Sequence, residues 1–276
     1  MNMLRHLHLV ARVFLVFSPA MMVVQAGAQA PDVKAWRDAL APTGTLRGVF
    51  LATNPVQANI NPQTGEVSGP AFDIVRELAG KVAVPFSVKG LDGVPAVMDA
   101  VSKGTADVGF LAYDPTRAVQ VAFTQPYSIG HNGYMVLRDS SIRNIADADR
   151  SGIRIGVGAG DAVDLHLSRT LKAAQIVRPT NRTIEEFVRL LTAKEIDAYA
   201  ANIQRLTDAV SRASNLRLVP GSVLPVQQSI VVRKENTAAV SILNRSIDEM
   251  RDSGFLREAI ARAKLAGVEV APREVK

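Results

Sequence analysis

Residues 94–111 read VPAVMDAVSKGTADVGFL and contain two apolar patterns in succession. Four apolar residues recur at the three- and four-residue spacing of one helix face: Val94, Val97, Met98 and Val101. Asp92 precedes this face as a candidate cap, and Gly104 follows it as a stop signal. Residues 108–111 are then continuously apolar, as in a buried strand. The stretch therefore predicts a helix, a turn and a strand.

The same unit recurs at residues 184–197, where the helix begins with a capping box, Thr183 to Glu186. Five pairs of residues are each separated by 90 positions: Val94/Ile184, Val97/Phe187, Met98/Val188, Val101/Leu191 and Asp107/Asp197. Helical spacing alone would produce part of this match. We interpret the repeat as one helix-turn-strand unit in each of two lobes, with the aspartate beginning each strand.

Short apolar segments alternate with amphipathic helices along the rest of the chain, a pattern typical of α/β proteins. The candidate strands are 46–51, 86–88, 108–111, 134–137, 153–157, 176–178, 198–200, 216–219 and 229–232. Two further helices are predicted around 240–250 and 255–265.

Two breaks between the lobes are predicted where glycine and proline cluster, at 130–133 and at 220–225. The chain would then cross between the lobes twice. His131, Asn132 and Tyr134 are expected in a solvent-facing loop near the first break, the alternative being a place on the hinge side of a cleft.

The composition is that of an ordinary globular protein, with 276 residues, 47% hydrophobic and 21% charged. It excludes intrinsic disorder, collagen and disulfide scaffolds. Because there is no cysteine, a zinc-cysteine site and a thiol nucleophile are excluded as well. With only His131 and His166 beyond the first 30 residues, no metal site is expected, and we expect no cofactor.

The N-terminus has the order of a secretory signal peptide. Arg5 and Arg12 precede the apolar run 13–24, and small residues follow at Ala26, Ala28 and Ala30. We expect residues 1–28 to be the signal peptide, with cleavage after residue 28 or 30. A membrane anchor is the alternative, but a span needs about 20 apolar residues. Without Arg5 and Arg12 the net charge falls from +6 to +4, which does not indicate nucleic-acid binding.

Several segments between about Leu46 and Lys264 follow one another in the order known from one family. They read GPAFDIVRELA (69–79), ADVGFLAYDPTRA (106–118), FTQPY (123–127), IRIGVGAGD (153–161), EIDA (195–198), IVVRK (230–234) and DSGF (252–255). In these segments the chain resembles the extracellular solute-binding proteins of family 3, the receptors that supply polar amino acids to ATP-driven importers.

The resemblance implies a two-lobed α/β fold of the type II periplasmic-binding-protein kind, with a ligand cleft and two crossover strands. Lobe 1 would comprise residues 31–130 plus 228–276, and lobe 2 residues 131–227. Two lobes that close on a small polar molecule exchange its hydration shell for fixed donors and acceptors. The family expectation for the oligomeric state is a monomer.

Arg117 stands where the family has an arginine that grips a ligand carboxylate bidentately. The alternative is a surface arginine. Ala112 and Asp114 stand where the family usually has threonine or serine. Ala112 keeps its backbone donor but has no hydroxyl. Asp114 could accept from a cationic group or form an Asx turn with the loop after it.

In the second lobe, Asp161 replaces the family's usual threonine before a helix whose free amide hydrogens, around Ala162 and Val163, could face an anion. Its carboxylate either caps this helix only or also meets a ligand amine. Asn202 stands where amino-acid receptors usually carry the aspartate that neutralises the α-ammonium. Either Asp114 or Asp161 therefore replaces that aspartate, or the ligand is a carboxylate without an α-amine.

Two further candidates lie in lobe 1. Asn54 stands where the family touches the ligand's side chain, although Asn54-Pro55 is also a turn signal. Tyr113 could cover the ligand as an aromatic wall or lie in the core. Asp107 and Asp197 are expected to have structural roles.

The sequence thus predicts a periplasmic, soluble substrate-binding component of an ABC importer, not an enzyme. Its partners would be a small carboxylate-bearing solute, an amino acid or a derivative, and an inner-membrane ABC permease, with no stable membrane insertion. The alternative is an enzyme on the same scaffold resembling periplasmic cyclohexadienyl dehydratases, which act on prephenate-like acids and need a general acid such as Asp114 or Asp161.

Overall fold

The computed structural model describes residues 32–273, so the predicted signal peptide and its cleavage site lie outside the described residues. This part contains eight α-helices: α1 Val33–Leu40, α2 Pro70–Val82, α3 Val94–Ser102, α4 Ala162–Thr170, α5 Ile184–Thr192, α6 Ile203–Arg212, α7 Thr237–Asp252 and α8 Phe255–Arg262. Within residues 32–273, none of the helices combines the length and the hydropathy needed to span a membrane.

The same part of the chain contains twelve strands. They are β1 Leu46–Leu51, β2 Asn59–Ile60, β3 Val67–Ser68, β4 Phe86–Leu91, β5 Val108–Ala112, β6 Val121–Leu137, β7 Arg154–Gly156, β8 Gln175–Val177, β9 Ala198–Asn202, β10 Leu216–Leu218, β11 Leu224–Arg233 and β12 Val268–Val270. All nine predicted strands lie in or overlap these elements. Beyond its predicted segment, β6 extends toward the N-terminus by thirteen residues.

One sheet joins ten of the strands, and its main path runs β4-β1-β5-β11-β6-β9-β7-β8. At one end, β1 pairs in parallel with both β4 and β5. At the other end, β7 pairs in parallel with β8 and β9. The strands β11 and β6 connect the two parallel groups and are antiparallel to each other. Parallel strands covered by helices, with crossing strands between them, make this a mixed α/β fold.

The break predicted at 130–133 is not a turn, whereas residues 220–223 of the second predicted break do lie between strands β10 and β11. Residues 130–133 lie inside the 17-residue strand β6 rather than in a turn. Pro225 lies within β11, opposite His131, and Val226 lies opposite Gly130. His131 and Asn132 are therefore strand residues, and the solvent-facing loop expected for them is not present. The chain passes this region twice as two paired extended strands.

Neither Gly130 nor Gly133 forms a turn, and Gly130 has a packing function instead. A Cβ atom at Gly130 would lie 3.3 Å from the Cγ1 atom of Val56, and one at Gly133 would lie 3.5 Å from Ile203. Glycine inside a strand commonly marks such close approach. Gly130 therefore lets Val56 pack closely against the middle of β6, whereas the distance at Gly133 is an ordinary van der Waals contact.

The buried apolar residues form four clusters. Two of them draw on residues up to 127 and from 230 onward. The other two draw on residues 134–219. One pair of clusters is thus replaced by the other along the strands β6 and β11. The lobe boundaries predicted from the sequence stay a prediction.

The 90-residue repeat is present in the fold. Helix α3 and strand β5 correspond to helix α5 and strand β9, with every boundary displaced by 90 residues. Within each unit the turn residue before the strand has a left-handed backbone, Gly104 at φ 71° and Lys194 at φ 55°. The two predicted helix-turn-strand units are therefore one structural unit used twice.

Each unit is fixed by the same aspartate-arginine contact. Asp107 accepts hydrogen bonds from the backbone N, Nε and Nη2 of Arg47, at 2.8, 3.0 and 2.7 Å. Asp197 accepts from the same three atoms of Arg154, at 2.8, 3.0 and 3.1 Å. In both cases the aspartate ties the start of its strand to a neighbouring parallel strand. The structural role expected for Asp107 and Asp197 is what these contacts show.

The observed helix caps agree only in part with the caps predicted from the sequence. Helix α3 has Gly93 at its N-cap and no side-chain cap, so the cap expected from Asp92 is absent. Asp92 instead forms an ion pair with Arg182. Thr183 does cap α5 by accepting from the backbone N of Glu186, but the carboxylate of Glu186 pairs with Arg189 rather than completing the box.

Substitution of the two equivalent aspartates tests how much each contact contributes to the free energy of unfolding. Asp107 and Asp197 make the same contacts, but their side chains are 6% and 31% exposed. We expect Asp107→Ala to lower the free energy of unfolding by roughly 3 kcal/mol, because breaking a buried ion pair costs about 3–5 kcal/mol and Arg47 keeps some solvent. For Asp197→Ala we expect about 1 kcal/mol, since more exposed pairs contribute less. Urea unfolding followed by circular dichroism measures both, and an equal or larger loss for Asp197→Ala contradicts the assignment.

Candidate functional site

A cavity of about 50 Å³ lies where β5, β6, β9 and β11 meet the start of helices α4 and α6. This volume holds roughly three to five water molecules. Six of the eight binding residues predicted from the sequence line it: Asn54, Ala112, Arg117, Asp161, Ala162 and Asn202. The structure therefore brings together residues that are up to 148 positions apart in the chain.

Arg117 begins a short 3₁₀ helix directly after β5 and is 5% exposed. Its Nη1 donates to the carbonyl oxygen of Ala112, and its Nη2 donates to the carbonyl oxygen of Gly160, both at 2.8 Å. These bonds use two of the five N–H donors of a guanidinium. Among residues 32–273, no carboxylate oxygen lies within 4.0 Å of it. Arg117 is thus a buried cation that lines the cavity without a direct anionic partner.

The electrostatics of Arg117 follow from this burial. Burial lowers the pKa of the guanidinium, while the charges of Asp114 and Asp161 oppose the shift. An arginine stays protonated in proteins despite such shifts. The group therefore presents a permanent positive charge, and an anion entering the cavity would compensate it.

Asp161 immediately precedes helix α4 and has the extended backbone of an N-cap residue, φ −66° and ψ 159°. Its side chain makes no capping hydrogen bond, so the expectation that it caps α4 is wrong. Asp164 accepts from the backbone N of Gly160 at 2.8 Å instead. A Cβ atom at Gly158 would lie 2.2 Å from Oδ2 of Asp161. The glycine-rich turn therefore makes room for this carboxylate beside the cavity.

The environment of Asp161 changes its acidity. Burial raises the pKa of its carboxyl group to about 6, with a further contribution from Asp164, although Arg205, Arg182 and Arg117 oppose the shift. The group therefore changes its charge close to neutral pH. A cationic partner in the cavity would favour the ionised form.

Asn202 and Asn54 contact each other at the cavity wall. Nδ2 of Asn202 donates to Oδ1 of Asn54 at 3.3 Å. Oδ1 of Asn202 caps helix α6 by accepting from the backbone N of Arg205, and Oδ1 of Asn54 accepts from the backbone N of Val56 in an Asx turn. Both amides thus form hydrogen bonds within the protein. Asn54 forms the turn that the sequence indicated and also lines the cavity.

Two predicted residues do not reach this cavity. Tyr113 is 47% exposed and packs edge-on against Phe123, with ring centroids 5.3 Å apart. The carboxylate of Asp114 is buried, accepts from the backbone N and Oγ1 of Thr116, and pairs with Arg169 at 3.3 Å. Burial alone would raise the pKa of Asp114, but these hydrogen bonds and the charges of Arg169 and Arg117 lower it overall. Its local Asx turn draws the carboxylate away from the cavity.

Four polar residues that line the cavity were not predicted from the sequence: Thr53, Gln57, Arg205 and Gln228. Asn132 also lines the cavity, in line with the alternative of a place beside a cleft. Gln57 and Gln228 are nearly fully buried and hydrogen-bond to each other at 3.1 Å. Arg205 lies in the first turn of α6, where the helix dipole disfavours a cation. A basic residue at that position was the one sequence signal that could have indicated a functional role.

Hydrogen bonds and ion pairs close the cavity between early and late parts of the chain. In addition to the contacts of Arg117 and Asn202, Nη1 of Arg205 donates to the carbonyl oxygen of Thr53 at 3.3 Å. Two ion pairs also join the early and late parts of the chain: Arg182–Asp92 at 3.2 Å and Arg169–Asp114 at 3.3 Å. Elements before residue 118 are thus tied to elements between 158 and 206 on several sides of the cavity.

The described part of the chain contains no cluster of side chains that could bind a metal ion. No group of three or more His, Cys, Asp or Glu side chains able to hold a metal ion occurs among residues 32–273. The polar groups that line the cavity are guanidinium, carboxylate, amide and hydroxyl groups. They lie beside apolar side chains such as Leu51 and Val226, and this mixed lining suits a small polar organic solute.

Solved structures share this fold. ArgBP from T. maritima, in a mutant form, superposes with a TM-score of 0.69 at 21% identity, covering 83% of this chain and 99% of that chain. An amino acid ABC transporter substrate-binding protein from Streptococcus pneumoniae, bound to L-arginine, gives 0.70 at 16% identity, covering 84% and 99%. The ancestral amino acid-binding protein AncCDT-1, a precursor of cyclohexadienyl dehydratase, gives 0.67 at 18%, covering 82% and 97%. The two-lobed periplasmic-binding-protein fold is confirmed.

No curated protein sequence matches this chain significantly. The family comparison is decisive, because the model of the bacterial extracellular solute-binding proteins, family 3, matches residues 49–263. This range spans both repeated units, both crossing strands and every cavity-lining residue. The chain therefore belongs to the bacterial extracellular solute-binding proteins of family 3.

Proposed function

We propose that the protein is the substrate-binding component of an ABC importer and binds a small carboxylate-bearing solute, an amino acid or a derivative, by closure of its two lobes. Lobe 1 comprises residues 31–130 with 228–276, and lobe 2 residues 131–227. The proposal also places the mature protein in the periplasm after removal of residues 1–28, as a monomer that delivers its solute to an inner-membrane permease. The extracellular character of the family supports this location.

The observation that carries the proposal is the buried guanidinium of Arg117. It lines the cavity, it is held at a fixed position by two carbonyl oxygens, and within the described chain it lacks a carboxylate partner. A cation in this state costs free energy that an anionic ligand recovers. The bond from Arg117 to Gly160 also spans the two lobes, so the group that binds a carboxylate is linked to closure.

Asp161 is the residue we assign to a ligand ammonium group. Asn202 carries no charge, and its oxygen already caps helix α6. Asp114 is paired outside the cavity. The carboxylate of Asp161 lines the same cavity as Arg117, so an α-carboxylate and an α-ammonium would each find a partner of opposite charge.

Removal of the Arg117 side chain tests the carboxylate site. We expect Arg117→Ala to weaken the binding of L-glutamate and L-glutamine by roughly 2–5 kcal/mol, because a desolvated charge pair loses one partner. Isothermal titration calorimetry measures the affinity. Arg257→Ala, which removes an exposed arginine from helix α8, is the matched control and should leave the affinity unchanged. An Arg117→Ala protein that binds both probes like the unmodified protein contradicts the proposal.

The acidity of Asp161 predicts a pH dependence. Protonation below a pKa of about 6 removes the partner of the ammonium group, so the affinity for L-glutamine should fall about fourfold between pH 7.5 and pH 5.5. The groups that face Asp161 are Arg205, Arg182, Arg117 and Asp164, and neither the arginines nor L-glutamine change charge in this range.

The controls for this prediction use two substitutions. Asp161→Asn should bind L-glutamine weakly at both pH values, with a flat profile. The double variant Asp161→Asn with Asn202→Asp should regain affinity, because it returns a carboxylate to the cavity wall. A wild-type affinity that does not change with pH, or that rises on acidification, rules out Asp161 as the ammonium partner.

A dehydratase-like activity is the second candidate, and one observation favours it. Asp161 is a cavity-lining carboxyl group with a pKa of about 6, which suits a general acid near neutral pH. The likeness to AncCDT-1 shows only that the fold is compatible. Incubation with prephenate decides between the candidates: phenylpyruvate formation that Asp161→Asn abolishes would establish the enzyme, and its absence leaves the binding function.

A further inference from the structure

The charged groups of the cavity do not balance. In the described part of the chain, its lining contains two arginines, Arg117 and Arg205, but only one carboxylate, Asp161. Like Arg117, Arg205 has no carboxylate oxygen within 4.0 Å among the residues that the structure describes. The neighbouring Arg182 differs from both, since it forms an ion pair with Asp92. The cavity therefore carries an excess of one positive charge, and that excess resides on fixed guanidinium groups.

Arg205 is held in place on several sides. Its Nη1 donates to the carbonyl oxygen of Thr53 and its Nη2 to the carbonyl oxygen of Arg182. Its guanidinium carbon lies 5.8 Å from the ring centroid of Tyr199, which is 1% exposed. These contacts prevent the side chain from turning away into solvent. They also leave further N–H donors of the guanidinium for another partner.

The local helix increases the positive potential at this point. Arg205 lies in the first turn of α6, which contains no acidic residue. The N-terminal end of a helix carries a partial positive charge, so a cation here is unfavourable unless an anion compensates it. The position resembles that of Arg117 in one respect: within residues 32–273, both guanidinium groups donate to carbonyl oxygens and have no carboxylate oxygen within 4.0 Å.

Ligand classes differ in how they would complete this arrangement. The carboxylate and ammonium of a neutral amino acid would satisfy Arg117 and Asp161 and leave Arg205 uncompensated. A basic amino acid would bring a second cation beside Arg205 and Arg182. A solute with a second acidic group would compensate Arg205 as well. A cavity of about 50 Å³ also suits a compact solute.

We propose that Arg205 is a specificity-determining residue and that the protein selects compact solutes with two acidic groups, one held by Arg117 and the other by Arg205. This inference rests on the proposed binding function and narrows its substrate class. The proposed preference for acidic solutes differs from the ligand of the Streptococcus pneumoniae protein described above, which is bound to L-arginine.

Calorimetric titrations with L-glutamate, L-glutamine and L-arginine test the inference. The first two probes have nearly the same shape and differ in the charge of the side chain. The unmodified protein should bind L-glutamate at least about tenfold more tightly than L-glutamine, about 1.4 kcal/mol, and should bind L-arginine most weakly. Arg205→Gln should reduce L-glutamate binding to the level of L-glutamine and leave L-glutamine within about twofold.

The controls separate a specificity role from a structural one. Arg205→Lys keeps the charge and should keep the preference for L-glutamate, while Arg212→Gln removes an exposed arginine from the last turn of the same helix and should change nothing. Thermal unfolding without ligand checks the fold of each variant. If Arg205→Gln does not fold, the order of the affinities of the unmodified protein for the three probes tests the proposed selectivity.

The outcomes that contradict the inference are distinct from those that contradict the proposed function. Tighter binding of L-glutamine or L-arginine than of L-glutamate overturns the two-acid selectivity and leaves an amino-acid receptor. An equal loss of all probes in Arg205→Gln overturns the specificity role of Arg205. Failure of the unmodified protein to bind any of the three probes overturns the inference and the proposed function together.

Discussion

A guanidinium removed from water needs acceptors, and two chain segments beside the cavity supply them to Arg117. The end of β5 places the carbonyl oxygen of Ala112 under Nη1, and the turn before α4 places the carbonyl oxygen of Gly160 under Nη2. Neutral carbonyl groups satisfy hydrogen bonds but leave the charge uncompensated. The buried cation therefore both ties distant segments together and creates the demand for an anion.

In the proposed function, closure and binding are coupled through the same residues. Arg117 and Asn202 each contact the opposite side of the cavity, and Arg205 does so through Thr53. The strands β6 and β11 pass between the two sides as an antiparallel pair with register shifts near Gln228 and Ser229. Irregular pairing of this kind lets two connected strands bend. A ligand that adds bonds to both sides would favour the closed arrangement over an open one.

The sequence predicted the regular elements well, because periodic apolar patterns record burial directly. The limits of β1 and the start of α3 agree with the prediction, and the repeated units keep their 90-residue spacing. Gly130 was misinterpreted because glycine serves both turns and close packing. The cap expected from Asp92 failed for a tertiary reason, since Arg182 binds its carboxylate instead.

The site could be predicted only in part. Motif positions identified Arg117 and Asp161, but the carboxylate of Asp114 is held outside the cavity by its Asx turn with Thr116 and by its ion pair with Arg169. Arg205 was missed since its neighbours, Thr53 and Arg182, meet it only in three dimensions. The most direct measurement is a crystal structure with L-glutamate bound. We expect the α-carboxylate to contact Arg117, the ammonium to contact Asp161 and the second carboxylate to contact Arg205. An α-carboxylate that does not contact Arg117 would contradict the proposed binding site.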